Sequence, residues 1–249
     1  MLSIIVFVFY VICIANKTEL ITPKAISVGD IESIDVLTID DIYMLNDGDV
    51  DIIYEYGTQI PIEMKCKFTT NKILNQQDAV VALMGLRELM SISEYDFYCD
   101  SVYEGGTEGN EVTTYVLIQL HNGVPVDTAG FRVTASKNGE PISVQGIFME
   151  VVNDIETDPI ISYKDGLNLV NPESGTYTKS AQLVIFGLDE NNPSLCWKYE
   201  TGAKLITKED DVYYINDDNS ITLYDKIVHI DAITGELVIE FPIMTNCFD

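Results

Sequence analysis

Few residues in this chain are equipped for chemistry. It has two histidines, His121 and His229, five cysteines, and 40 acidic against 14 basic residues. A hydrolytic zinc site needs three protein ligands around an open position. Two histidines far apart in sequence do not supply them, and no H-E-x-x-H pair occurs. A serine nucleophile on a strand-to-helix turn would show as G-x-S-x-G, which is also absent. Carboxylates are abundant, yet no two stand out as an acid/base couple. His121 falls at an expected turn and His229 in an alternating strand, where surface or structural roles are the ordinary ones. The expectation is therefore a protein that is not an enzyme, with no catalytic residue, cofactor or metal assigned.

Two further constellations are weaker. Asn46-Asp47-Gly48-Asp49-Val50-Asp51 places three aspartates at alternate positions, as oxygen ligands for calcium would be. A calcium loop counted from Asp47 wants Gly sixth and Glu twelfth; Ile52 and Thr58 stand there. The segment reads better as a solvated turn, with calcium binding left open. Cys66, Cys99, Cys196 and Cys247 remain if Cys13 is removed with the N-terminus. Four cysteines in an exported chain permit two disulfides in three possible connectivities. Their spacing is far too wide for C-x-x-C metal or redox motifs.

Residues 2–15 form an apolar run broken only by Ser3. The run is short for a membrane span, which needs about 20 residues. Cys13 and Ala15 are small residues at the −3 and −1 positions before Asn16, as at a secretory cleavage site, although no Lys or Arg precedes the run. A signal peptide, an uncleaved anchor and a buried strand are the three readings, in that order. Export leads to a secreted or extracytoplasmic cell-envelope protein, with membrane contact only through residues 2–15 if they stay. A net charge of −26 speaks against nucleic acid and anionic lipid as partners. It suits solubility, or a basic protein partner.

The elements that must position any site follow from pattern. Residues 16–30 read as an exposed leader, and 16–74 together as a β-rich N-terminal extension with strand-like pieces at Asp35–Ile39, Asp51–Tyr56 and Ile60–Phe68. Gln76–Met90 is the clearest helix, with Asn75 as cap, Asp78 in the first turn and Ala79, Leu83, Leu86 and Met90 on one face. A strand over Tyr95–Tyr103 leads to the Gly-rich Glu104–Asn110. That run lacks the Lys-Ser/Thr of a phosphate loop and reads as a hairpin connection. Thr114–Phe148 alternates apolar and polar residues and turns at Asn122-Gly123 and Asn138-Gly139, the pattern of a three-stranded meander. The polar stretch 152–158 before Pro159 reads as a domain boundary. After it come a helix over Ser162–Val170, ended by Asn171–Gly175, and strands at Ala181–Gly187, Ser194–Glu200, Val212–Ile215, Ile221–Tyr224, Ile227–Ile230 and Leu237–Phe241. Trp197 and Tyr199 share one strand face, as core residues do.

Both halves thus run helix first, then antiparallel sheet. In the first, the helix Asp78–Met90, a strand with Gln119, then Asn122-Gly123-Val124-Pro125-Val126 and the Asn138-Gly139 turn resemble the fungalysin/thermolysin propeptide motif. In the second, Leu183-Val184-Ile185, the strand with Trp197 and Tyr199, and the closing Asp231-Ala232-Ile233-Thr234-Gly235-Glu236 hairpin resemble a PepSY domain. Their order is that of the pro-region of secreted thermolysin-like metalloproteases. The resemblance covers roughly residues 75–245, and no peptidase sequence follows it. It implies an α+β fold of two small cystatin-like/PepSY-like domains, 75–151 and 152–249, each a helix packed on an antiparallel sheet. It implies that Gln119, Asn122, Gly123, Pro125, Val126, Trp197, Tyr199, Asp231, Ala232, Gly235 and Glu236 are scaffold. The function it implies is non-catalytic binding of a secreted metallopeptidase in trans, as inhibitor or folding assistant. The alternative is a membrane-anchored PepSY-type regulator that binds a sensor kinase or another envelope signalling partner. The chain departs from the pattern at His121, where a Tyr is common, and in the long acidic insertion 201–226.

Overall fold

A computed structural model of the chain describes residues 19–26, 33–93, 96–151, 155–170, 176–187, 193–203 and 225–243. Three helices are described, α1 (Ile39–Leu45), α2 (Gln76–Gly85) and α3 (Tyr163–Val170). The strands are β1 (Glu19–Ile21), β2 (Asp51–Tyr54), β3 (Pro61–Lys65), β4 (Phe97–Thr107), β5 (Asn110–His121), β6 (Val124–Ser136), β7 (Pro141–Ile147), β8 (Thr176–Phe186), β9 (Ser194–Ala203), β10 (Asp225–Asp231) and β11 (Leu237–Ile243). The fold is α+β, with one large, mostly antiparallel sheet ordered β11-β10-β9-β8-β6-β7-β3-β2. The β4–β5 hairpin joins it through β6, and β1 lies parallel on β8.

Turn chemistry sets the centre of the sheet. Asn122 and Gly123 both take positive φ (50° and 81°), the pair of left-handed residues that a tight hairpin requires. This turn closes β5 on β6. The Asn138-Gly139 turn then returns the chain to β7, with Gly139 donating to Ser136 at 2.8 Å. The Gly-rich stretch makes a hairpin as well, but β4 and β5 pair as far as Thr107 and Asn110, so the turn is only two residues long. Gly106 has no room for a side chain, because a Cβ there would meet the Asn110 carbonyl at 2.2 Å.

Capping explains the helices and one miss. Asp35–Ile39, expected as a strand, instead leads into α1. Thr38 receives the Asp41 amide, and Asp41 receives the Thr38 amide at 2.8 Å, a reciprocal box that starts a helix. Asn75 caps α2 by accepting from the amides of Gln77 and Asp78. The helix ends at Gly85 and not at Met90. There the Gly85 carbonyl is taken by the Leu37 amide at 2.8 Å and the Met84 carbonyl by the Arg87 guanidinium at 2.8 Å, which satisfies the end groups a longer helix would use. Ser162 starts α3 through its hydroxyl and Asp165.

Two hydrophobic cores result. The first packs Ala79, Val80, Leu83 and Met84 of α2, with Leu86 just after it, against Phe97, Leu117, Phe131, Val133 and Val144 of the sheet. Residues 16–74 are less separate than an extension. Ile42 of α1, Met64, Cys66, Phe68 and Ile73 sit inside this core, and the supposed leader supplies β1. That cover buries α2 on more than its expected stripe. The second core joins Ala181, Ile185, Leu195, Trp197, Tyr199, Val228, Ile230 and Ala232 with Val124, Val126, Ala129, Met149 and Val151. The distal end of the β5–β6 hairpin therefore lies in the second core, while the body of β6 lies in the first. The expected strands Val212–Ile215 and Ile221–Tyr224, and most of the acidic insertion 201–226, lie outside the described residues. So does part of the polar break, 152–154.

Candidate functional site

The motif residues gather where the tip of the meander joins the β8–β9–β10–β11 part of the sheet. Gln119 sits at a register shift between β5 and its neighbour β6, so its side chain is free of the regular alternation. The fully buried amide donates to the Met149 carbonyl at 2.7 Å and accepts the Met149 amide at 3.0 Å. One side chain thus takes the place of a strand partner for the segment that leaves β7. Pro125 is opposite Leu120. Val126, with no exposure, pairs in parallel with Ile185 of β8, the single register pair between those strands.

Trp197 and Tyr199 hold α3. The Trp197 indole donates to the Ile161 carbonyl at 2.7 Å, and the Tyr199 hydroxyl donates to the Tyr163 carbonyl at 2.8 Å. Burial pushes the Tyr199 hydroxyl well above its ordinary pKa, and the Asp165 charge adds to the effect. At Gly166 a Cβ would stand 2.2 Å from that hydroxyl, so a larger residue must displace it. Asp231 builds the closing hairpin by accepting from the amides of Ile233 (2.8 Å) and Thr234 (2.7 Å), with Gly235 at φ 79°. The buried Ala232 accepts from the Ile161 amide and donates to the Leu195 carbonyl, both at 2.8 Å. Glu236 is exposed, and its amide closes on Thr234 at 3.2 Å.

Sequence reasoning missed the charged cluster beneath this junction. Asp127, in an irregular stretch of β6, bonds Lys198 of β9 through one carboxylate oxygen and His229 Nε2 of β10 through the other, the latter at 2.8 Å. Lys198 and His229 are register partners on adjacent strands, so they present one two-point site. Burial by itself would raise the Asp127 carboxyl, but the His229 bond and the Lys198 charge outweigh it and hold the group below the usual carboxylate range. His229 is 1% exposed, stacks on Phe186 at 4.2 Å and meets the edge of Phe241. Its Nδ1 is buried with no hydrogen-bond partner among the described residues. In sequence the only signal was an aspartate just after the Asn122–Val126 motif.

Burial pushes the nearby Cys196 thiol up to about 12, with the Asp231 and Asp127 charges adding, so it is no thiolate. Cys66, Cys99 and Cys196 are free thiols, and Cys247 lies outside the described residues. Among the described residues no group of three His, Cys, Asp or Glu is arranged to hold a metal ion. At Asn46–Asp51 the chain turns with Asp47 and Gly48 at positive φ. Asn46 exchanges two hydrogen bonds with the Lys67 backbone. His121 stands 3.2 Å from the Asn122 amide at the hairpin.

Comparison with known proteins agrees with part of this. Residues 107–148 match the Fungalysin/Thermolysin Propeptide Motif. The matched segment runs from the β4–β5 turn to the end of the meander and leaves α2 outside. No curated protein matches the chain. The Bacillus megaterium YpeB C-terminal domain is a similar solved structure, at 17% identity and TM-score 0.38 over 79% of this chain and 76% of that one. A likeness at that score supports no argument. No helix among the described residues is long and apolar enough to cross a membrane.

Proposed function

We propose that this chain is a non-catalytic, propeptide-like protein that binds a secreted metallopeptidase in trans, to inhibit it or assist its folding. The observation that carries the reading is the propeptide-motif match over residues 107–148. Gln119 and Asn122–Val126 within it make scaffold contacts, so binding falls to exposed surfaces. The division into sequence units 75–151 and 152–249, which share a core across that boundary, the PepSY-like character of the second and a secreted or envelope location belong to the same proposal. One edge of the sheet is β11, which pairs only with β10 among the described residues and exposes Leu237, Val238 and Phe241. Together with the segment after it (244–249), it is suited to strand addition in a substrate cleft.

The test is direct. Purified chain is added to a thermolysin-like metallopeptidase, and hydrolysis is followed with complex formation by size-exclusion chromatography. Slower turnover with co-elution is expected at micromolar chain. Unchanged turnover with separate elution would refute the proposal. The apolar run at residues 2–15 favours the second reading, an anchored envelope regulator. Recovery of the native protein in the membrane fraction, with residues 2–15 still attached, would select it.

A further inference from the structure

The face of β5, β6 and β7 turned away from the first core carries a groove of about 500 Å³. Its shape follows from one row of residues. Ile118 of β5, Gly130 of β6 and Ile147 of β7 lie side by side across three strands. Gly130 has no side chain, and a Cβ there would meet the Leu117 carbonyl at 2.5 Å. The row is therefore a notch with a glycine floor and two isoleucine walls, extended by Ile53 and Ile62.

Two residues along, the next row on the same face is Val116, Arg132, Gln145 and Glu63. Arg132 and Gln145 also line an adjoining hollow of about 310 Å³ with Thr114, Thr134 and Ser143. Charge matching singles out Arg132. Of the carboxylates in the groove, Glu63 is paired with Lys65 at 3.0 Å and Asp127 with Lys198 and His229. Arg132 is exposed and makes no ion pair or hydrogen bond among the described residues. In a chain with 40 acidic and 14 basic residues, the unmatched charge of this groove is positive.

We infer that this groove is a docking site for an extended segment of the partner protein that places an apolar side chain in the Gly130 notch and a carboxylate on Arg132. Residues two apart on one strand face are separated by about 7 Å. The matching ligand pattern is therefore an apolar residue followed two positions later by Asp or Glu. Apolar burial in the notch supplies contact, and the guanidinium–carboxylate pair fixes register. The inference rests on the reading of the chain as a protein-binding module, whichever protein it binds.

The probes are two fluorescein-labelled peptides, Gly-Ser-Ile-Thr-Glu-Ser-Gly and its twin with Gln in place of Glu, titrated with full-length chain by fluorescence polarisation. The Glu peptide should bind at least tenfold more tightly than its twin. Arg132→Gln should abolish that preference, and Ile147→Glu should weaken both peptides. Both positions are exposed, and matching circular dichroism melts verify that the variants fold. Equal binding of the two peptides, no binding of either, or a preference that survives Arg132→Gln would overturn the inference. Peptidase inhibition by wild type without the peptide preference removes the groove and leaves the proposed function standing. The reverse result removes the peptidase and keeps the groove.

Discussion

At the residue scale, two side chains carry more structure than their neighbours. Gln119 satisfies both backbone groups of Met149 inside the protein. Gln119→Leu should cost about 3 kcal/mol, because a buried group left without a partner costs roughly 1–3 kcal/mol. Urea denaturation measures it, and a loss under 1 kcal/mol would mean that water or a shifted strand replaces the amide. Asp127 gives a pH-dependent case. Its folded pKa is depressed, so its stabilisation is present above the unfolded value near ~3.9 and disappears as pH falls through the folded value. Asp127→Asn should destabilise by about 3 kcal/mol at pH 7, as removal of one partner of a buried pair does. The gap between wild type and variant should hold down to about pH 4 and narrow below it, closing only as pH falls past the depressed folded value. A gap that does not narrow as pH is lowered beneath the unfolded value of about 3.9 would show that the loss is not electrostatic.

At the element scale, α3 is held by contacts too close to tolerate one extra carbon. Gly166→Ala places a methyl against the Tyr199 hydroxyl and should destabilise by about 1–3 kcal/mol, the usual cost of overpacking. Removal of that hydroxyl makes room. The double variant Gly166→Ala/Tyr199→Phe should therefore be more stable than the two single losses predict, and strict additivity in a double-mutant cycle would contradict the close approach. The elements also differ in how far they could be read from sequence. The start of α2 was legible because Asn75 is a capping residue before an apolar run, and β5–β7 because Asn-Gly names its own turn. Helix α1 was not, since seven residues give too little periodicity and the decisive Thr38–Asp41 pairing is a side-chain exchange. The end of α2 was misplaced because the groups that close it, Leu37 and Arg87, include one from a distant segment. The Asp127 cluster was beyond reach for the same reason, as its three members share no stretch of sequence.

At the scale of the whole molecule, the two cores are tied through β6, the Asp127 contacts and the bond from the Gln182 amide to the Tyr98 hydroxyl. The single tryptophan, Trp197, lies in the second core, whereas far-UV ellipticity samples both. Unfolding by the two probes should coincide in wild type, as it does for a cooperative unit. Separate midpoints would show that the ties are too weak to couple the cores.

The position of β6 has one more consequence, for dividing the chain. A fragment that stops at Val151 retains all of the meander, yet leaves Val124, Val126, Ala129, Met149 and Val151 without the apolar residues that cover them. A fragment that starts after it lacks the strand segment that lies along Ile185. No single peptide bond therefore separates one core from the other, and a protease that nicks the chain between them should leave two pieces that stay together until denatured.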